Sequence, residues 1–291
     1  MDVSIREVEA NGLRFRCREA GGGGGEPVLL LHGFPETSHM WEPLMGELAD
    51  KGYHCLAPDQ RGYSPGARPV DVADYGYPQL AADILGIPKA AGFDRFHLIA
   101  HDWGACAAWG ALAVDHDLRV ASYVSLSIPH YRAFAEAVYV DPEEELYRGA
   151  LELLTAPDHA AEAALIGEDY APLTSVWESS SQEEIDDYLG VFRQEGALTG
   201  ALNWYRASRA HRRALDDPSL VFAPVTTPTL VIWGRDDPYV RRMSVDLAAP
   251  LMAGDYRLVE LEAGHWLIQD CYETIAAEIT GHLERYSLPS G

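Results

Sequence analysis

The sequence predicts a doubly wound, mostly parallel α/β sheet with a helical lid inserted after the sixth strand. Two patterns lead there. Short, continuously apolar runs recur along the chain, with helical stretches between most of them. Such runs suit strands buried on both faces of a parallel sheet, and strand alternating with helix implies right-handed crossovers. The rhythm then breaks once, between Pro129 and about Phe222, where no buried strand is legible.

Taken in order, residues 3–9 and 13–18 read as two short strands. Asn11-Gly12 between them favours a hairpin turn. The glycines at 21–25 lack the Lys-Ser/Thr of a phosphate loop and read as a connector. Buried strands are expected at residues 28–32, 53–57, 96–100, 120–127, 229–233 and 257–261. In the break, Asp141-Pro142 followed by three glutamates is an N-cap, a proline at the first helical position and acids at the positive end of a helix dipole. Ser181 with Glu184 forms a capping box for a second helix, and residues 196–211 hold another. The expected organisation is a core of residues 1–129 and 223–291, with the lid at 130–222.

Composition narrows the function. Hydrophobic residues make up 47% and charged residues 23%, the balance of a soluble globular protein. No apolar run approaches the roughly 20 residues of a membrane span. The first twelve residues are acidic without an apolar core, so no signal peptide is expected and the cytoplasm is the expected compartment. Cys17, Cys55, Cys106 and Cys271 are scattered singly, which fits reduced thiols and offers no metal knuckle. A net charge of −23 repels nucleic acid and anionic membranes and favours a small neutral organic substrate. No cofactor and no metal are expected. The oligomeric state stays open, a homodimer being one option.

The informative stretch is Phe96-His97-Leu98-Ile99-Ala100-His101-Asp102-Trp103-Gly104-Ala105. A buried strand runs through small residues into an alanine-rich helix. This is the layout of a nucleophile elbow, in which the central side chain stands up at the strand's C-terminal end. The central residue is Asp102, and Ala100 replaces the usual first glycine. The plainer reading makes Asp102 only a helix N-cap. Three further segments weigh against it. His32-Gly33-Phe34-Pro35 follows the first parallel strand, where a turn supplies a backbone N–H to an oxyanion hole; the amides of Phe34 and Trp103 are the expected pair. His32 itself is expected to be structural. An acidic turn, Gly234-Arg235-Asp236-Asp237, follows the strand at 229–233, and His265 follows the last strand. Nucleophile, acid and histidine thus fall in the chain order of a hydrolytic triad at the carboxyl edge of the sheet.

At this point the chain resembles the α/β-hydrolase epoxide hydrolases over nearly its whole length. The matching motifs are His32-Gly33-Phe34-Pro35-Glu36, Asp59-Gln60-Arg61-Gly62-Tyr63, His101-Asp102-Trp103-Gly104, Leu202-Asn203-Trp204-Tyr205-Arg206 and Gly264-His265-Trp266. The resemblance implies Asp102 as nucleophile, His265 as base and Asp237 as orienting acid, with Asp236 its close competitor. It implies two lid tyrosines that grip the epoxide oxygen. Tyr205 matches one. The other position falls on Ala150, and Tyr147, three residues earlier on the same helix face, is the candidate substitute. Phe34, Trp103, Trp204 and Trp266 are the candidate substrate contacts.

A carboxylate nucleophile suits attack on saturated carbon, because the ester it forms keeps a carbonyl that water can attack. A serine ether would not. The alternatives are a dehalogenase using the same aspartate, a serine esterase, and a binding protein on the same fold. Haloalkane dehalogenases usually carry Asn where Phe34 stands, and fluoroacetate dehalogenases typically carry Arg where Trp103 stands. Ser125 and Ser127 lie inside an expected strand, off any elbow, which counts against the esterase. A binder has no need of all three catalytic groups.

Overall fold

The computed structural model describes residues 2–215 and 224–288. All eight expected strands are present: β1 (Ser4–Ala10), β2 (Leu13–Ala20), β3 (Glu26–Leu31), β4 (Tyr53–Pro58), β5 (Phe96–His101), β6 (Val120–Leu126), β7 (Thr229–Gly234) and β8 (Tyr256–Leu261). They form one sheet in the order β1-β2-β4-β3-β5-β6-β7-β8. β1 and β2 pair antiparallel, with Asn11 and Gly12 both at positive φ, as a tight hairpin turn requires. β2 also runs antiparallel to β4, and the pairs from β4 through β8 are parallel. The most apolar runs lie at the centre: Val28–Leu31 of β3 and Phe96–Ala100 of β5 are fully buried between helical layers. That arrangement is an α/β-hydrolase fold.

Boundaries shift by up to two residues, and one of these shifts bears on the site. β6 stops at Leu126, and Ser127 leaves it with φ 72°. The apolar pattern continues through this residue, so the turn is invisible in composition. Its geometry matters for the site described below.

Helices α1 (Glu42–Asp50), α2 (Tyr77–Ala91) and α3 (Asp102–Val114) connect the first six strands. Between β6 and β7 lie α4 (Tyr131–Val140), α5 (Glu145–Leu154), α6 (Ala160–Thr174), α7 (Gln182–Phe192) and α8 (Ala197–Leu215). This is the helical segment the sequence places after the sixth strand; its expected far boundary at residue 222 lies outside the described residues. The predicted caps form. Asp141 accepts the Glu143 amide at 2.9 Å, and Ser181 and Glu184 exchange both hydrogen bonds of the capping box, at 2.7 and 3.2 Å. After β7 come α9 (Arg242–Asp246), α10 (Leu267–Asp270) and α11 (Tyr272–Arg285). No helix among the described residues is long and apolar enough to cross a membrane.

The helical segment is pinned to the sheet by polar contacts. Asp187 of α7 accepts from Arg18 of β2 and from the Thr37 hydroxyl, each at 2.6 Å, and the Trp204 indole of α8 donates to the Arg61 carbonyl at 2.8 Å. Arg18 is buried and also bonds Glu42 and Ser38, so its charge is matched inside the protein.

The strand-to-helix junction is tight. A Cβ on Gly104 would stand 2.5 Å from the His32 carbonyl oxygen and 2.6 Å from that of Leu31. These are backbone atoms and cannot swing aside. Gly104→Ala is therefore expected to push α3 off β3 and lower the unfolding free energy by about 1–3 kcal/mol, read by chemical denaturation. A variant as stable as the parent would mean the junction has slack.

Candidate active site

The sharp bend from β5 into α3 places Asp102 at φ 49°, in left-handed space that an aspartate occupies only at a cost. Two glycines allow the bend. Gly104 permits the helix to approach β3, and a Cβ on Gly33 would collide with the Asp102 side chain itself. Ala100 is fully buried and fits where the sequence pattern expects glycine. The plain N-cap reading fails here. His101 holds the N-cap position of α3, and no side chain caps this helix. The Asp102 oxygens point instead at the Phe34 amide, 2.9 Å from Oδ1, and at His265 Nε2, 3.5 Å from Oδ2. The side chain keeps 14% of its surface exposed, so it is reachable.

The loop carrying Phe34 is braced from below. The buried His32 ring donates from Nδ1 to the Gly33 carbonyl at 2.9 Å, while Nε2 accepts the Gln60 amide at 3.2 Å. Gln60 returns a second bond to the His32 carbonyl at 2.6 Å. Burial lowers the His32 pKa, in keeping with a neutral ring that both donates and accepts. His32 is thus the structural histidine the sequence suggests. The Phe34 amide reaches the Asp102 carboxylate as an oxyanion donor must; a matching bond from the Trp103 amide is not among the contacts of Asp102 described in the structure.

His265 is buried between two carboxylates. Its Nδ1 donates to Asp237 Oδ2 at 2.8 Å, and its Nε2 faces Asp102. Asp237 is fully buried; its Oδ1 accepts the Tyr239 and Val240 amides at 2.8 and 3.1 Å. Asp236 is exposed and takes no part. Burial alone would lower the pKa of His265, but the Asp237 charge, helped by Asp102, outweighs it and holds the imidazole up to about 10. Burial likewise opposes ionisation of Asp102. Hydrogen bonding and charge from His265, with contributions from His101 and the Phe34 amide, win and hold its carboxyl below the usual range.

Two groups of residues escaped the sequence reading. The Ser127 hydroxyl donates to Asp237 Oδ2 at 2.8 Å and lies 3.2 Å from His265 Nδ1. Beside His265, buried His101 donates from Nε2 to the His265 carbonyl and bonds Glu36 through Nδ1, both at 3.0 Å, and Gln269 donates to the other Glu36 oxygen at 2.8 Å. Glu36 and His101 both stand in motifs of the sequence, but spacing alone does not reveal that they meet.

Tyr147 of α5 lines a cavity of about 40 Å³ together with Trp103 and Cys106 of α3, Tyr131 and Phe134. Tyr205 of α8 packs edge-on against Trp103 and Phe34, with ring centroids 4.8 and 5.5 Å away. Burial pushes both phenols well above their ordinary value, and the Asp102 charge adds to this, so both hydroxyls keep their protons. Trp204 is a correction. Its N–H is tied to the Arg61 carbonyl and its ring stands edge-on to Trp103 at 6.1 Å, so it packs between helix and core. Residues 204 and 205 are adjacent on one helix and must point about 100° apart. Trp266 is half-buried and stands edge-on to His265 at 4.9 Å, away from the tyrosine cavity. Among the described residues, no group of three His, Cys, Asp or Glu side chains is arranged to hold a metal ion.

The raised pKa of His265 couples protonation to stability. A folded value above the unfolded 6.5 contributes stability that is whole below pH 6.5 and is lost as pH rises through about 10. Removing one carboxylate weakens the effect. In Asp102→Asn, nitrogen NMR of the imidazole is expected to show a lower titration midpoint, and melting curves a flatter decline across that window. An unchanged midpoint would show that Asp102 does not act on the ring.

Comparison with known proteins agrees with this fold. A family model described as alpha/beta hydrolase fold matches residues 26–270. Epoxide hydrolase A of Mycobacterium tuberculosis is 34% identical, covering 91% of this chain and 92% of its own. Human epoxide hydrolase 4 is 30% identical over 90% of this chain and 74% of its own. The crystal structure of epoxide hydrolase A from Mycobacterium thermoresistibile superposes with a TM-score of 0.82 at 30% identity, covering 99% of this chain and all of that one.

Proposed function

The chain belongs to the alpha/beta hydrolase fold family, and from that premise we propose that it opens epoxides to vicinal diols through an ester on Asp102. One observation carries the reading: an ionised carboxylate stands on the elbow, within reach of a histidine held by a second carboxylate, and its charge acts on two protonated phenols. The named relatives support the same activity. Residues 130–222 act as the lid over a core formed by 1–129 and 223–291.

In the first step Asp102 Oδ2 attacks an epoxide carbon. The ring C–O bond breaks, its electrons pass to the oxygen, and a phenol of Tyr205 or Tyr147 supplies the proton. Oδ1, already bonded to the Phe34 amide, becomes the ester carbonyl. Esterification removes the negative charge of Asp102, one of the two that hold the proton on His265. The imidazole then gives up its proton, which returns to the phenolate left by the first step, and can serve as base. Water, deprotonated by His265, adds to the ester carbonyl; the Phe34 amide, with that of Trp103 as second donor, stabilises the oxyanion. The bond between the carbonyl carbon and the substrate oxygen breaks, the diol leaves with the proton held by His265, and the carboxylic acid left on Asp102 passes its own proton to His265, which restores carboxylate and imidazolium.

The cavity suits a neutral substrate. Its lining holds aromatic and aliphatic side chains, one thiol and one serine hydroxyl, with no charged residue. A departing halide takes no proton, whereas the Tyr205 and Tyr147 phenols keep protons that an opening epoxide ring needs. The geometry therefore favours the epoxide over the dehalogenase reading.

One turnover of styrene oxide in heavy-oxygen water is expected to leave label in the Asp102 peptide. Asp102→Ala should abolish turnover, and His265→Gln should accumulate the ester. Loss of one phenol, by Tyr205→Phe or Tyr147→Phe, is expected to slow ester formation by about 10²-fold, and loss of both by more. Unlabelled Asp102 would exclude the ester route. Halide release from a chloroalkane with no diol from the epoxide would favour the dehalogenase.

A further inference from the structure

Among the described residues, the Ser127 hydroxyl reaches both the His265 ring and the Asp237 oxygen that holds it, and the proposed mechanism has no use for it. It is fully buried, just past the end of β6. Its backbone N–H continues the sheet ladder to the Ile232 carbonyl at 2.9 Å, and its φ of 72° is a left-handed value that favours glycine. A serine held there keeps a hydroxyl in one place. That hydroxyl is shared: it donates to Asp237 Oδ2 at 2.8 Å, the oxygen that also accepts His265 Nδ1 at 2.8 Å, and its oxygen lies 3.2 Å from the same nitrogen.

We propose, resting on the reading of Asp102 and His265 given above, that Ser127 is a positioning residue whose hydroxyl limits the grip of Asp237 on the imidazole proton. Asp237 has four donors, two on each oxygen. The Tyr239 and Val240 amides fix Oδ1 and with it the orientation of the carboxylate. Ser127 therefore is not needed to orient Asp237. Its contribution is to draw charge from Oδ2, which would otherwise act on His265 alone. The shorter bond to the full charge of the carboxylate outweighs the longer contact with the ring. Other groups facing His265 are Asp102 on the elbow, His101 with its partner Glu36 at the end of β5, and the edge of Tyr239 after β7. None of these bonds Oδ2 of Asp237. With esterified Asp102 neutral, Asp237 is the charge that sets when His265 can become a base, and Ser127 is the residue that tempers it.

Two variants separate the hydroxyl from the backbone. Ser127→Ala keeps the Cβ and the left-handed φ; Ser127→Gly relieves the φ; both delete the hydroxyl. Rapid quench with styrene oxide and intact-mass analysis reads ester formation and ester breakdown separately across pH. Both variants are expected to form the ester within about twofold of the parent rate. In both, the pH midpoint of ester breakdown is expected to rise by half a unit or more, so that breakdown near neutrality slows about threefold and recovers in alkali. In substrate-free enzyme, imidazole nitrogen NMR should show the His265 midpoint moving the same way. An unchanged or lowered midpoint in both variants overturns the proposal. So does an equal loss in both steps at every pH, which marks a structural role alone. A parent that forms no ester overturns the reading of Asp102 instead, and the NMR titration then still decides whether Ser127 acts on His265.

Discussion

A single imidazole buried between two carboxylates is the interaction on which the rest of this site depends. His265, Asp237 and the polar end of Asp102 have little water to screen them. Two negative charges and one positive charge in such a place are tolerable only if nearly every lone pair has a donor. The structure meets that demand. Asp237 accepts two backbone amides, an imidazole and a hydroxyl, and Asp102 accepts the Phe34 amide. The same attraction that makes the cluster tolerable also keeps the imidazole protonated, which is the wrong state for a general base.

The backbone geometry serves that cluster. Asp102 can reach both the Phe34 amide and His265 only because β5 turns through left-handed space at its end, and the turn is possible only because Gly33 and Gly104 leave room. Ser127 uses the same device at the end of β6, and the loops after β7 and β8 deliver Asp237 and His265. Four neighbouring parallel strands thus end at one place, where loops are free to vary while the sheet holds their roots fixed. The histidine pair adds a brace from the side: His101 holds the backbone of His265, so the carbonyl and the ring are located independently.

Much of this was legible because it is written in local pattern. Continuous apolar runs marked the strands to within two residues, and Ser181 with Glu184 marked its cap, since each depends on neighbours in sequence. Asp102, the acidic turn and His265 stood out from their place after strands, while the preference for Asp237 over Asp236 came from the family resemblance. What stayed hidden depends on contacts across the fold. Ser127 looks like strand because its neighbours are apolar; its positive φ is set by the path to α4. Trp204 sits in the same motif as Tyr205, yet one residue along a helix turns its indole to the Arg61 carbonyl while Tyr205 meets Trp103 and Phe34. The His101–Glu36–Gln269 set joins three distant segments, and nothing in their spacing announces it.

The choice of carboxylate over serine gains a second reason from this charge arrangement. A serine nucleophile is neutral before attack and its acyl or alkyl product is neutral after, so the histidine beside it sees no change of charge. Aspartate is different. In the proposed mechanism it is anionic while it waits and neutral once esterified. The histidine accordingly meets two carboxylates in the first step, when a fixed cation helps to hold the nucleophile ionised, and one in the second, when a base is needed. The covalent step changes the protonation of its neighbour without any movement of the chain. A second carboxylate too strongly bound to the ring would blunt that change, because His265 would stay charged in the ester as well. The balance among Asp102, Asp237 and the hydroxyl on Asp237 therefore decides whether one buried histidine can serve as cation and base in turn.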